Sequence, residues 1–233
     1  MIVPILAAVL LLAAAPQEKD AKVNPHEAQE KIDPARMYTY ERQDVALPDF
    51  PAQGWILDIG GGGEGVIGRL KGKQVVAIDL YAWGMSRTPP GPLKLVMDAT
   101  DLKFLDGSFG TVTSFFTLMY IPPALHEKAI REAYRVLEPD GLMRIWDVEL
   151  PVAPNAKQDL AIYKFRFLLP AETIETGYGT SFPTQPLDSA YYAKLAKATG
   201  FAIEEQAAAG RTFRMVLRKP APAATAAAGS RLP

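Results

Sequence analysis

Residues 55–65, WILDIGGGGEG, carry a short apolar run straight into a block of glycines, and the helical stretch EGVIGRL follows. That junction narrows the choice of folds sharply. An uninterrupted apolar run stopped by glycine is expected where a strand is covered on both faces, as in a parallel sheet. Glycine at the strand end permits positive φ and lets a ligand touch the main chain. The helix start beyond it offers free N–H groups and a partial positive charge. Gly60, Gly62 and Gly65 satisfy G-x-G-x-x-G, a spacing that by itself fits a structural turn as well as a ligand site.

The rest of the chain supplies the context. QVVAIDL (74–80), LKLVMDA (93–99), TVTSFFTLMYI (111–121) and LMRIWDVEL (142–150) are four more runs rich in β-branched and apolar residues. Pro122 and Pro123 open a helix with Ile130, Ala133, Tyr134 and Leu137 on one face, and Pro139, Asp140 and Gly141 end it. Alternation of this kind predicts an α/β fold: a Rossmann-like doubly wound sheet, mostly parallel. Asp188 is a suitable N-cap for SAYYAKLAKAT, and Gly200 a C-terminal stop. FAIEEQ and RTFRMVLR read as closing strands. In the second, Phe213, Met215 and Leu217 alternate with polar residues, as on an antiparallel closing strand. AIYKFRFLL (161–169) alternates large apolar with basic residues and predicts a half-exposed insertion strand. ETGYGTSFP (175–183) reads as a loop with glycine hinges, able to close over a substrate through Tyr178 and Phe182.

These elements place one domain at 53–219. The Ala/Glu/Lys-rich pattern from residue 25 predicts a helical extension over 21–52, and the Pro/Ala-rich residues 220–233 a disordered tail. Residues 1–20 are signal-like or a tether. The apolar run 2–15 is shorter than the roughly 18–20 residues of a spanning helix, and no Lys or Arg precedes it. Export or membrane association through residues 2–15 is the expectation, with a cytoplasmic location otherwise. The absence of cysteine excludes thiol nucleophiles, thiolate zinc sites and iron–sulfur clusters, so no metal is expected. A formal charge of −1 gives no electrostatic case for nucleic acid.

Three aspartates accompany the glycine turn. Asp58 lies inside the first strand, Asp79 ends the next one 21 residues later, and Asp98-Ala99 ends the third. A carboxylate about 20 residues past the turn suits ribose hydroxyls, whether of a dinucleotide or of S-adenosylmethionine. Asp58 separates the two. A buried carboxylate is unhelpful beside a pyrophosphate but sensible beside a methionine ammonium.

WILDIGGGG, VVAIDL, MDATDLKFLDGSFGTVTSFFTLMYI and REAYRVLEPDGLMRIWD resemble, in order and spacing, the motifs of class I S-adenosylmethionine-dependent methyltransferases. The likeness is to the type 11 branch that includes the ubiquinone/menaquinone-biosynthesis enzymes, and it covers about residues 53 to 150. It implies in-line methyl transfer from S-adenosyl-L-methionine to a small-molecule acceptor. It also implies that Asp58, Gly60 and Gly62 cradle the methionine end and that Asp79 holds the ribose, with Leu80 beside the adenine. Asp98 and Ala99 would read the adenine edge, and Phe115 would lie beside the donor. Two positions depart from the family pattern: Glu64 interrupts the glycines between Gly63 and Gly65, and Asp140-Gly141 replaces Gly-Gly.

Nothing assigns a catalytic base. His126, Asp147 and Tyr178 are the candidates, against an exposed helix histidine for the first and a structural carboxylate for the second. Trp146, Tyr120, Tyr38 and Tyr40 could line a pocket or simply pack. A nicotinamide-dependent oxidoreductase and a non-catalytic donor-binding protein are the alternative functions.

Overall fold

The structure, a computed structural model, describes residues 8–9 and 33–222. The signal-like segment, apart from Ala8–Val9, residues 21–32 of the expected helical extension, and the tail beyond residue 222 lie outside the described residues. Two sheets organise the rest. The larger has seven strands in the order β11-β12-β8-β7-β4-β5-β6. Their ranges are β4 Ile56–Ile59, β5 Val75–Asp79, β6 Leu93–Val96, β7 Phe109–Phe115, β8 Leu137–Val148, β11 Ala202–Ala209 and β12 Thr212–Arg218.

From β6 to β8 all neighbours are parallel, while β12 runs antiparallel to β8 and β11 antiparallel to β12. This is the expected Rossmann-like arrangement, closed by an antiparallel pair. Every residue of β4 and β7 is buried, which is why those segments read as continuous apolar or β-branched runs. The chain proceeds outward from β4 through β5 to β6, then returns to the other side of β4 as β7 and β8. Strand order therefore switches between β4 and β7, and ligands of open α/β sheets bind at the carboxyl edge of such a point.

Helices α1 Val66–Lys71, α2 Ala82–Arg87, α3 Pro123–Val136 and α4 Ser189–Thr199 connect the strands. The boundary signals of α4 act as expected: Asp188 Oδ1 accepts from the Tyr191 N–H at 2.8 Å, and Gly200 takes φ 112°. Helix α2 has no clear apolar period in six residues and is not legible in the sequence. Helix α3 stops at Val136 rather than at Pro139-Asp140-Gly141. The following strand already starts at Leu137 and bends at Asp140, whose φ is 62°. No helix among the described residues is long and apolar enough to cross a membrane.

The smaller sheet departs most from expectation. Its order is β1-β10-β9-β2, with β3 also paired to β9. The ranges are β1 Ala8–Val9, β2 Met37–Thr39, β3 Gln43–Ala46, β9 Leu160–Leu168 and β10 Thr173–Ser181. Residues 33–52 are thus strand and turn where a helical extension is expected; β2 and β3 pair in parallel with the free edge of β9. Pairing to an open edge overrides the weak helical propensity of a short segment. The expected glycine-hinged loop at 175–183 is instead β10, aligned antiparallel to β9 from Thr173 to Ser181.

Strand β9 keeps its period of two and is exposed along one face, as expected of an insertion strand. Ala161, Tyr163, Phe165 and Phe167 form a fully buried face, and Lys164 and Leu168 face outward. The buried face lies against the tip of β7, with Phe167 4.9 Å from Phe115 and Phe165 4.7 Å from Phe116, ring to ring. The small sheet therefore covers the carboxyl edge at the switch point.

Candidate functional site

The glycine turn joins β4 to α1 at that edge. The N–H groups of Gly60 and Gly61 both donate to the Ile78 carbonyl, at 2.8 and 2.9 Å, which folds the turn over the end of β5. Gly60 has φ 74° and lies against Thr117, so a Cβ there would overlap that side chain. Gly62 is glycine for a different reason: a Cβ would run into the Asp79 carboxylate. At Gly61 it would stand 2.7 Å from Asp58 Oδ2. The glycines bring main chain into direct contact with two carboxyl groups.

Asp58 is 2% exposed and accepts a hydrogen bond from the Thr113 hydroxyl at 2.7 Å. Burial, supplemented by the neighbouring Asp79 charge, pushes its pKa up to about 7. Asp79 at the end of β5 accepts from the Tyr81 N–H at 2.9 Å. Its burial outweighs the N–H groups of Tyr81, Gly62 and Leu80 around it, so its pKa is also above the usual carboxylate range. The Met97 N–H donates to the Asp79 carbonyl at 2.9 Å and carries the pairing one residue past β6. That places Asp98 on the neighbouring tip, exposed, with Oδ1 accepting from the Thr100 N–H at 2.7 Å. Leu80 is exposed and Ala99 partly covered. The three acidic residues thus stand on the adjacent tips of β4, β5 and β6.

Phe115 is the last residue of β7, buried among Phe116, Phe167 and Trp146. Of the next two residues, Thr117 is the one that reaches the glycine turn. Phe116 holds φ 51°, an uncommon conformation for a side-chain-bearing residue, while its N–H donates to the Trp146 carbonyl at 2.7 Å. Thr117 then donates to the Ile59 carbonyl at 3.0 Å, behind Gly60. Sequence reasoning missed Thr113, Phe116 and Thr117. The available signal for Thr113 was a hydroxyl inside a wholly buried strand, which has to find a partner.

The candidate bases fare differently. His126 is a buried structural residue, a correction to the exposed helix position expected. Its Nε2 lies 3.0 and 2.8 Å from the Leu118 and Ile121 carbonyls and its Nδ1 3.2 Å from the Tyr191 hydroxyl. Two carbonyl acceptors require Nε2 to carry the proton, and burial lowers the pKa. Asp147 is 1% exposed and accepts from the N–H groups of Leu118, Met119 and Val148 at 2.8, 3.3 and 2.8 Å. It pins the turn after β7, and burial raises its pKa to about 7.

Tyr178, on β10, donates to Glu64 Oε2 at 3.0 Å, with Tyr120 6.2 Å away ring to ring. Burial first, then the Glu64 charge, holds both phenols well above their usual pKa. Tyr40 stacks on Tyr163 at 4.7 Å, Tyr38 meets Tyr40 edge-on at 4.8 Å, and Trp146 packs on Phe50 at 5.6 Å, so these three rings pack. No cluster of His, Asp and Glu able to hold a metal occurs among the described residues. A cleft of about 480 Å³ lined by Trp55, Val76, Leu93 and Phe109 lies at the opposite, amino edge of the sheet and contains none of these groups.

The two carboxyl groups raised to about 7, Asp58 and Asp147, fix the sign of a pH effect. Their folded pKa of about 7 lies above the unfolded value near 4, so the native state binds more protons between those limits. Their contribution to stability is full below pH 4 and is lost as pH rises to about 7. Urea midpoints are expected to be higher at pH 5 than at pH 8, with a smaller difference in Asp58→Asn and Asp147→Asn. A difference unchanged in both variants would contradict the assignment.

Residues 57–145 match the family model described as "Methyltransferase domain", of the type 11 branch. Demethylmenaquinone methyltransferases of Staphylococcus epidermidis and Staphylococcus aureus are 38% and 40% identical to the chain over 73 residues. Those matches cover 31% of this chain and only 29% of either relative, less than a third of their length. Among solved structures, a S-adenosylmethionine-dependent methyltransferase of Methanosarcina mazei aligns with TM-score 0.54 and 18% identity, covering 74% of this chain and 95% of that one. One from Mesorhizobium loti gives 0.53 and 16%, covering 72% and 93%. A protein of Pyrococcus horikoshii gives 0.51 and 20%, covering 71% and 82%. At these identities the structures speak to the fold.

Proposed function

We propose that this chain, whose residues 57–145 belong to the type 11 methyltransferase-domain family and whose fold is that of class I methyltransferases, moves a methyl group from S-adenosylmethionine to a small-molecule acceptor. The observation that carries this reading is the contact of the glycine turn with Asp58 and Asp79 at the switch point, beside Asp98.

The donor, when bound, supplies a methyl group already activated on a sulfonium. The residues of this chain hold and orient it. Asp58, with Gly60 and Gly62, takes the methionine end, where an ammonium favours the charged form of a buried carboxyl. Asp79 accepts from the two ribose hydroxyls. Leu80 and Ala99 flank the adenine, and Asp98 accepts from its amino group. Phe115 supports the tip of β7 from below, where Phe116 and Thr117 meet the donor. Transfer by in-line displacement needs alignment above all, and well-oriented reactants gain about 7–11 kcal/mol from it. His126, holding its Nε2 proton between two carbonyls, has no part in proton transfer.

For the acceptor we favour an apolar, ring-bearing molecule. The inner face of the small sheet brings the partly exposed Tyr178 ring over Phe116, and relatives matching the motif region are named for demethylmenaquinone. Titration calorimetry is expected to show S-adenosylhomocysteine binding in the micromolar range or tighter, with no heat from NAD. Methyl transfer from labelled donor should then favour reduced naphthoquinones over hydrophilic acceptors. Heat from NAD and none from S-adenosylhomocysteine would end the methyltransferase reading; donor binding without transfer to any acceptor would leave a binding protein.

A further inference from the structure

Glu64 is the residue that interrupts the glycine block, and its side chain leaves the turn altogether. Gly63 and Gly65 on either side have φ 64° and 59°. Both Glu64 oxygens are engaged by the small sheet: the Thr176 hydroxyl donates to Oε1, and the Tyr178 hydroxyl to Oε2 at 3.0 Å. Thr176 and Tyr178 are two apart on β10 and so project from the same face. That face is the one toward the main sheet, where Tyr178 stands 5.7 Å from Phe116 and 6.2 Å from Tyr120.

A second link runs alongside. Arg69 of α1 donates from Nε to the Glu64 carbonyl at 2.7 Å and from a terminal nitrogen to Glu172 at 2.8 Å, just ahead of β10. The turn that contacts Asp58 and Asp79 is therefore tied by side chains to the strand over the β7 tip, although more than 100 residues separate them in sequence. Hydrogen bonds to a charged acceptor are the stronger kind.

Resting on the methyltransferase reading, we infer that Glu64 is a positioning residue that couples occupancy of the donor turn to the placement of β10, and through it of the Tyr178 ring and hydroxyl on the acceptor side. Ordering the turn fixes the carboxylate, and the carboxylate fixes the two hydroxyls. A glycine at position 64 would leave only the Arg69–Glu172 pair to join the two parts.

Amide hydrogen exchange on the full chain, with and without S-adenosylhomocysteine, tests the coupling directly. In the unaltered protein the ligand is expected to slow exchange at least threefold both at 60–66 and at 173–181. In Glu64→Ala, and separately in the double variant Thr176→Val with Tyr178→Phe, slowing should persist at 60–66 and fall at least by half at 173–181, the Arg69–Glu172 pair being retained. Glu64→Gln, which keeps one acceptor oxygen, should restore part of it. The double variant leaves the turn untouched, so a folding defect in Glu64→Ala does not decide the matter. Slowing at 173–181 that falls by less than half in both variants, or that is absent from the unaltered protein while 60–66 responds, overturns the coupling. A protein in which neither segment responds overturns the methyltransferase reading itself.

Discussion

Replacing Asp79 with alanine is expected to weaken S-adenosylhomocysteine binding about 100-fold, the largest single loss of ligand affinity in this site. The carboxylate stands at the end of β5 with its Oδ1 on the Tyr81 N–H and the Gly62 main chain packed against it. It is thereby aimed along the turn rather than into bulk water. Two ribose hydroxyls donating to it would each contribute about 1.5–3 kcal/mol as bonds to a charged group. Their joint loss of about 3 kcal/mol is the 100-fold expected. Asp79→Asn keeps an acceptor oxygen without the charge and should lose about 10-fold. Calorimetric titration gives both numbers, with melting curves to confirm folding. A dissociation constant within threefold of the unaltered protein in Asp79→Ala would remove the ribose role, and with it the strongest tie between this edge and a nucleoside.

Phe167→Ala should be the most damaging core truncation in the small sheet, destabilising the protein by about 3–5 kcal/mol. Phe167 is fully buried, with ring centroids 4.9 Å from Phe115, 5.2 Å from Phe116 and 5.6 Å from Phe165. It closes the junction between the two sheets, so the void it leaves is walled by both and collapses poorly. For a domain of this size the loss corresponds to a fall in melting temperature of roughly 6–20 °C. Leu168→Ala, one residue on and facing outward at 37% exposure, should change stability by less than about 1 kcal/mol. Equal, small effects at the two positions would mean that the small sheet does not pack on the β7 tip.

That pair of variants also marks where sequence reading fails. The alternation in AIYKFRFLL shows correctly which residues share a face of β9. It does not say whether the apolar face meets solvent at a rim or another sheet, and the rings of Phe115 and Phe116 decide that from 52 and 49 residues away. The same holds for residues 175–183, where two glycines suggest hinges until nine consecutive pairings with β9 make a strand of them. His126 looks exposed on its own helix because the hydroxyl covering it belongs to Tyr191, and two carbonyls of the preceding turn cannot be located from composition. By contrast, the turn glycines and Asp58, Asp79 and Asp98 are legible because each stands at or next to the carboxyl end of a parallel strand. Strand ends of one parallel sheet share an edge whatever the loops do.

Local chain chemistry therefore determined the Rossmann-like sheet, the glycine turn and the row of acidic tips. Those depend on periodicity, on φ and on which end of a strand a residue occupies, all properties of short segments. Tertiary packing alone decided what covers the edge: that Glu64 reaches Thr176 and Tyr178, that Asp147 is consumed by backbone N–H groups, and that residues 37–46 join β9 as strands. These contacts pair groups far apart in sequence, and their burial and hydrogen bonding exist only once the two sheets have met.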